Sequence, residues 1–179
     1  ARSKIINCDE QVLMTDKPTD AIKLKKNSSM QLSIDHVASG KSNAVLSCGN
    51  TGALMAISLL KLRTVASIKR PSIASIWPNI KGESIVLDLG ANIKNDTNSL
   101  IDNAILGSAL AKVLFSMNEP SVGLLNVGIE DMKGNENVQK ASEILLEMSN
   151  KKQLNYYGFV EGADISHGIT NVIVTDGFT

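Results

Sequence analysis

Apolar residues gather into short, nearly continuous runs, and four of these runs stop at polar loops built on glycine. They read NAVLSCGNTGA (residues 43–53), SIVLDLGAN (84–92), VGLLNVGIEDMKGN (122–135) and NVIVTDGFT (171–179). Continuous rather than alternating runs mark strands covered on both faces of a parallel sheet, and such sheets hold ligands beyond their carboxyl ends. The four loops are therefore expected to converge on one crevice. Strands are predicted at 44–46, 70–79, 85–87, 122–126, near Tyr157 and at 172–175, the second and third forming a hairpin through Lys81 and Gly82.

Between these runs the period changes to that of helices. A short helix follows Pro18, and a second is capped by Ser28 or Ser29, buries Met30, Ile34 and Val37, and stops at Gly40. A third, at 51–63, carries Leu54, Ile57, Leu60 and Leu62 at helical spacing, and longer ones span 99–116 and 135–149. Alternating strands and helices predict an α/β sandwich. No internal repeat, low-complexity tract or linker divides the chain, so residues 1–179 are expected to lie in one domain.

Composition narrows the function classes. A chain of 179 residues with 43% hydrophobic content can bury a real core. Eighteen basic and eighteen acidic residues cancel, which gives no bulk attraction for nucleic acid. The two cysteines, Cys8 and Cys48, lack metal-ligand spacing and do not make a disulfide scaffold, so a reducing cytoplasm is the default. The longest apolar stretch, residues 53–60, is far short of the roughly 20 residues that span a bilayer. The chain opens at Ala1 without an initiator Met and stops at Thr179 inside a strand-loop signal, which predicts an internal fragment lacking amino- and carboxyl-terminal parts.

The loops carry the candidate chemistry, each beside a plainer role. In GNTGA, Gly49, Asn50, Thr51 and Gly52 open a helix, where unpaired N–H groups and the dipole suit a phosphate or carboxylate; a tight turn with a capping Thr fits equally. No GxxxxGK[ST] or GxGxxG pattern is present. The third loop concentrates Glu130, Asp131 and Lys133 before a helix, and the lysine suits a phosphate or a developing oxyanion, or else a solvated pair with its acidic neighbours. Asp88 and Asp176 stand at strand ends, where a carboxylate binds a ligand or tethers the next loop, and Gly177 suits a left-handed turn. Lys25 and Lys26 precede a helix start. His36 and His167 have no triad partners at recognisable spacing. Cys48 at a helix start reads as a small buried thiol.

Together KKNSSM, SCGNTGALM, LDLGAN, SVGLLNVGIEDMKGNE and VIVTDGFT resemble, in order and spacing, the bacterial PlsX family of phosphate acyltransferases, over essentially the whole chain. The resemblance implies a three-layer α/β/α sandwich with a mostly parallel sheet, similar to isocitrate and isopropylmalate dehydrogenases and to phosphotransacetylases. It implies transfer of a long-chain fatty acyl group from acyl carrier protein to orthophosphate, giving acyl phosphate for phospholipid synthesis. It also implies a homodimer in the cytoplasm, with peripheral attachment to the inner face of the cell membrane in some members, and no cofactor or metal. On that basis Lys133 is the candidate catalytic residue. The candidate substrate and phosphate ligands are Gly49, Asn50, Thr51, Gly52, Asp88, Asn92, Asn126, Gly128, Glu130, Asn135, Asp176 and Gly177. The sequence departs from the family pattern at Lys94, commonly Asp, and at Cys48, commonly Ala.

Phosphorolysis of a thioester supplies its own nucleophile, so no activated Ser or Cys is required, only an anion cradle, donors for the oxyanion and an apolar channel. Lys61, Arg63, Lys69 and Arg70 form a candidate patch for the acidic carrier protein. Three rival functions remain open at this level. They are a nicotinamide- and metal-dependent dehydrogenase, a short-chain phosphotransacetylase and a non-catalytic anion-binding module.

Overall fold

A computed structural model describes residues 3–65, 68–92, 95–129 and 133–176. The chain divides into two compact units, Ala1–Pro71 and Ser72–Thr179.

The first unit is helical. Pro18 at the first position starts α1 (Pro18–Leu24), where its missing N–H costs nothing. In α2 (Ser29–Ala38) the cap is Ser28, whose Oγ accepts from Gln31 N–H, and Gly40 beyond the end takes φ +70°. In α3 (Thr51–Leu62) the cap is Asn50, whose Oδ1 accepts from Ala53 N–H at 2.9 Å. Ala21, Met30, Ile34, Ala53 and Ile57 make its core, and Lys61 joins Asp35 at 2.6 Å to tie α3 to α2.

Two expectations fail in this unit, a strand and a buried thiol. Residues 44–46 form no strand: the run is only three residues long, finds no ladder partner among the described residues, and leaves Leu46 91% exposed. Leu60 and Leu62, although helically spaced, face outward, while Ile57 is buried. Cys48 is exposed, because the failed strand leaves it on an open loop.

The second unit is a mixed sheet of five strands in the order β1-β2-β5-β3-β4. An antiparallel hairpin joins β1 (Ala74–Asn79) to β2 (Gly82–Leu87), as predicted, although β1 starts at Ala74 rather than at residue 70. The other pairings are parallel: β2 with β5 (Val172–Val174), β5 with β3 (Ser121–Leu125), and β3 with β4 (Asn155–Val160). Val172, Ile173 and Val174 are all buried, the expected composition of a central strand covered on both faces.

Two long helices pack against one another and line one face: α4 (Thr97–Leu114), capped by Asp96, and α5 (Glu136–Asn150), capped by Asn135. That face buries Ile85, Leu87, Val122, Leu124, Val172 and Val174 against Leu100, Ala104, Val138 and Leu145. Gly107 lets α4 approach closely; a Cβ there would lie 2.5 Å from Val172 Cγ1 and 2.8 Å from Leu87 Cδ2. The opposite face has a smaller cluster of Val86, Val160 and Ile173, joined by Ile165 of α6 (Gly162–His167). The sequence pattern missed α6 because six residues show no apolar stripe; a reciprocal cap between Glu161 and Asp164 starts it. Tyr156 is buried beside α5, donates to Ser142 Oγ at 2.8 Å, and burial pushes its phenol up to about 12.

Candidate functional site

The parallel neighbours β2, β5 and β3 end along the same edge of the sheet, so the loop residues 88–92, 175–176, 126–129 and 133–135 meet there. The ladder runs one residue past the strands, with Thr175 N–H donating to Leu87 O at 2.7 Å and Asp88 N–H donating to Thr175 O at 3.3 Å.

Asp88 at this edge is fully buried, yet its carboxylate is saturated. Oδ1 accepts from Ile73 N–H and Ala91 N–H, each at 3.0 Å, and Oδ2 accepts from the backbone and side-chain nitrogens of Asn92, each at 2.8 Å. Four donors converging on one anion compensate its burial and shape residues 88–92 into a fixed turn. The structure thus brings Asp88 and Asn92 together as one tether.

Asn126 performs the corresponding task at the end of β3. Its backbone N–H donates to Val160 O at 2.9 Å, and Nδ2 donates to Gly128 O at 3.0 Å and to Lys133 O at 2.9 Å. Both amide hydrogens therefore pin the two ends of the lysine-bearing loop. Gly134 follows with φ +94°, and any Cβ there would strike the Asn126 side chain, so the loop requires glycine at this position. Asn135 Oδ1 then accepts from Val138 N–H at 3.0 Å and starts α5. The Lys133 side chain stands exposed at the loop surface.

Asn126, Gly134, Asn135 and Asp176 line a cavity of about 50 Å³, floored by Leu100, Leu125 and Val138. That is room for a few water-sized groups. Of the predicted site residues, Asn126, Asn135 and Asp176 meet at this cavity, and Gly128 and the Lys133 backbone are tied to it through Asn126. Glu130, Gly177 and Lys94 lie outside the described residues.

The GNTG turn belongs to the first unit. Gly49, Thr51 and Gly52 are exposed there, whereas the Asn50 side chain is buried and occupied twice over. It caps α3, and its Nδ2 donates toward Leu13 O, Met14 O and Asp16 O at 3.1, 3.3 and 2.9 Å. Its geometry is that of a cap and loop clamp.

Sequence reasoning missed Asn95 and Thr175. Both are buried, and Asn95 Oδ1 and Thr175 Oγ1 find no hydrogen-bond partner among the described residues. Nothing in the string GANIKNDTNSL distinguishes Asn95 from its loop neighbours, because the signal is burial. No group of three or more His, Cys, Asp or Glu side chains that could hold a metal occurs among the described residues, and no described helix is long and apolar enough to cross a membrane.

Comparison with known proteins agrees with this architecture. The profile of the family described as "Fatty acid synthesis protein" matches residues 1–179. A curated "Phosphate acyltransferase" of Azorhizobium caulinodans is 51% identical over 178 residues, 99% of this chain and 50% of the relative. Another, of Mesorhizobium japonicum, is 49% identical over 177 residues, 98% of this chain and 49% of the relative. The chain thus spans about half the length of these relatives. Among solved structures, a phosphotransacetylase from Streptococcus pyogenes covers 89% of this chain and 54% of its own at TM-score 0.63 and 19% identity. EutD phosphotransacetylase from Staphylococcus aureus covers 92% and 55% at TM-score 0.61 and 19% identity. At that identity the likeness is one of fold.

Proposed function

Because the chain belongs to the fatty acid synthesis protein family, whose relatives here are phosphate acyltransferases, we propose that its protein transfers a long-chain fatty acyl group from acyl carrier protein to orthophosphate. Phosphate oxygen attacks the thioester carbonyl, the C–S bond breaks, and the carrier leaves as a thiolate that takes up a proton. The products are acyl phosphate, a precursor for phospholipid synthesis, and free carrier protein.

The observation that carries this reading is the clamp at the end of β3. Asn126 gives both of its amide hydrogens to the Lys133 loop, and the Gly134 turn hands that loop to the amino end of α5. A catalytic ammonium must be held in place before the transition state forms, and this clamp fixes the backbone that bears Lys133. Lys133 supplies the positive charge for the phosphate and for the thioester oxyanion. The chemistry asks for no cofactor, since the nucleophile is the second substrate. The finer fold assignment, a three-layer sandwich of the isocitrate and isopropylmalate dehydrogenase type, and assembly as a cytoplasmic homodimer that docks on the membrane, belong to the same proposal.

The test is orthophosphate-dependent release of carrier protein from palmitoyl acyl carrier protein by the full-length protein, with acyl phosphate trapped by hydroxylamine. Hydroxamate that requires phosphate supports the reading. Turnover of acetyl-CoA without turnover of the carrier substrate replaces it with short-chain phosphotransacetylase activity, and phosphate binding without thioester cleavage replaces it with an anion-binding module. Lys133→Ala lowers kcat by about 10²-fold or more if the lysine acts on the transition state. An unchanged kcat/KM removes Lys133 from the mechanism.

A further inference from the structure

A helix that is apolar on every side belongs in an interior. α4 comes close to that description, since two of its eighteen side chains, Asp102 and Lys112, are charged. Its inward face packs Leu100, Ala104 and Ala111 into the core, and Ile101, Leu106 and Leu110 flank that contact partly buried. Its outward face carries Asn98, Asp102, Ile105, Ala109, Lys112 and Val113, at the three- and four-residue spacing of one continuous stripe. Ile105 is 41% exposed and Val113 78% exposed, and Ala109 stands exposed between them. The neighbouring α5 shows how a solvated helix is built in this fold. There Glu136, Lys140, Glu143 and Glu147 are exposed, and ion pairs of 2.6 Å join Lys140 to Glu136 and Lys151 to Glu147.

The order of charges along the α4 stripe specifies what covers it. Asp102 and Lys112 stand on either side of Ile105 and Ala109, and neither joins an ion pair among the described residues. A second copy of α4 laid parallel would set Asp102 on Asp102 and Lys112 on Lys112. Laid antiparallel, about a two-fold axis at the level of Gly107, it sets Asp102 of each copy opposite Lys112 of the other. The same register sets Ile105 opposite Ala109, so a large side chain faces a small one twice over, and Val113 meets Ile101. Residue for residue, the stripe is its own complement. An acidic partner such as a carrier protein calls instead for a surface of one sign, and this one holds one charge of each.

We propose that the outward face of α4 is a two-fold interface between copies of this chain, an antiparallel α4 pair with reciprocal Asp102–Lys112 contacts around Ile105 and Ala109. This gives the homodimer of the proposed function its surface and rests on that dimer, but not on the acyl-transfer chemistry.

The test is sedimentation equilibrium of the full-length protein, beginning with the wild type. A wild type that stays monomeric at every concentration removes the homodimer, and this surface with it, while the phosphate-dependent assay decides the acyl-transfer reading separately. If the wild type dimerises, Asp102→Lys and Lys112→Asp each raise the dimer Kd by about 10–100-fold, since each turns two attractive contacts into two repulsive ones. Mixed together, the two variants recover wild-type affinity as a heterodimer, because each supplies the charge the other lacks. Both substitutions in one chain recover it as a homodimer. Ile105→Glu raises Kd by about 100-fold or more and, lying on the surface, leaves the far-UV circular dichroism spectrum unchanged. A wild-type dimer whose Kd none of these substitutions moves overturns the proposal in favour of another face. An intact dimer with a lowered Tm in Ile105→Glu overturns it in favour of cover by the rest of the same chain, and an intact dimer with a raised acyl-carrier KM overturns it in favour of a carrier-docking surface.

Discussion

Replacing Asp88 with asparagine separates a tether from a ligand. The side chains have the same shape, but the amide turns one acceptor oxygen into a donor. Whichever way it sits, two of the four N–H groups now on the carboxylate face an NH₂ instead: either those of Ile73 and Ala91, or both nitrogens of Asn92. Each hydrogen bond to a charged group is worth about 1.5–3 kcal/mol, so the gross loss is about 3–6 kcal/mol. Relief from burying a charge in a residue with no exposed surface offsets part of this. A net destabilisation of about 3 kcal/mol follows, which lowers Tm by about 6–12 °C for a chain of this size. Urea unfolding followed by far-UV circular dichroism measures it, and amide exchange localises it, with Ala91 and Asn92 losing protection. A variant within about 0.5 kcal/mol of wild type would refute the tether, and a large rise in phosphate KM at unchanged stability would show that Asp88 serves the ligand directly.

Other substitutions probe the same edge and the core behind it. Asn126→Asp sets carboxylate oxygen against Gly128 O and Lys133 O, so unfolding studies should find a loss of about 2–4 kcal/mol, and kinetics a fall in kcat toward that of Lys133→Ala. Gly107→Ala gains about 1 kcal/mol of helix propensity but forces a methyl onto Val172 and Leu87, for a net loss of about 1–2 kcal/mol in urea. For Tyr156 the folded phenol, at about 12, holds its proton more tightly than the unfolded one near 10, so its contribution of about 2–3 kcal/mol is complete below pH 10 and disappears as pH rises toward 12. Tyr156→Phe should flatten that alkaline limb while losing the bond to Ser142, and an unaltered pH slope would count against the assignment.

The second unit was largely legible because its signals are local and agree with one another. Val172 to Val174 announce a doubly covered strand, Asn135 caps the helix that its spacing predicts, and Lys81 with Gly82 closes the hairpin. In the first unit, readings that depended on partners distant in sequence failed. The run at 44–46 has strand composition but no neighbouring strand among the described residues of its unit, and composition cannot supply one. Cys48 followed that error outward to an exposed position. Leu60 and Leu62 have helical spacing, but which face of α3 is covered is decided by α1 and α2.

Candidate site residues divide along the same line. The loop residues read as ligands from sequence prove to include several that hold loops: Asp88 gathers four donors, Asn126 clamps two carbonyls, and Asn50 both caps and bridges. On the proposed acyl-transfer reading, a site for a small, highly charged, freely diffusing anion would give reason for such investment. Orthophosphate brings little surface from which binding energy could be drawn to organise a loop, so the loops must be organised before it arrives. Side chains that saturate their own hydrogen bonds accomplish that.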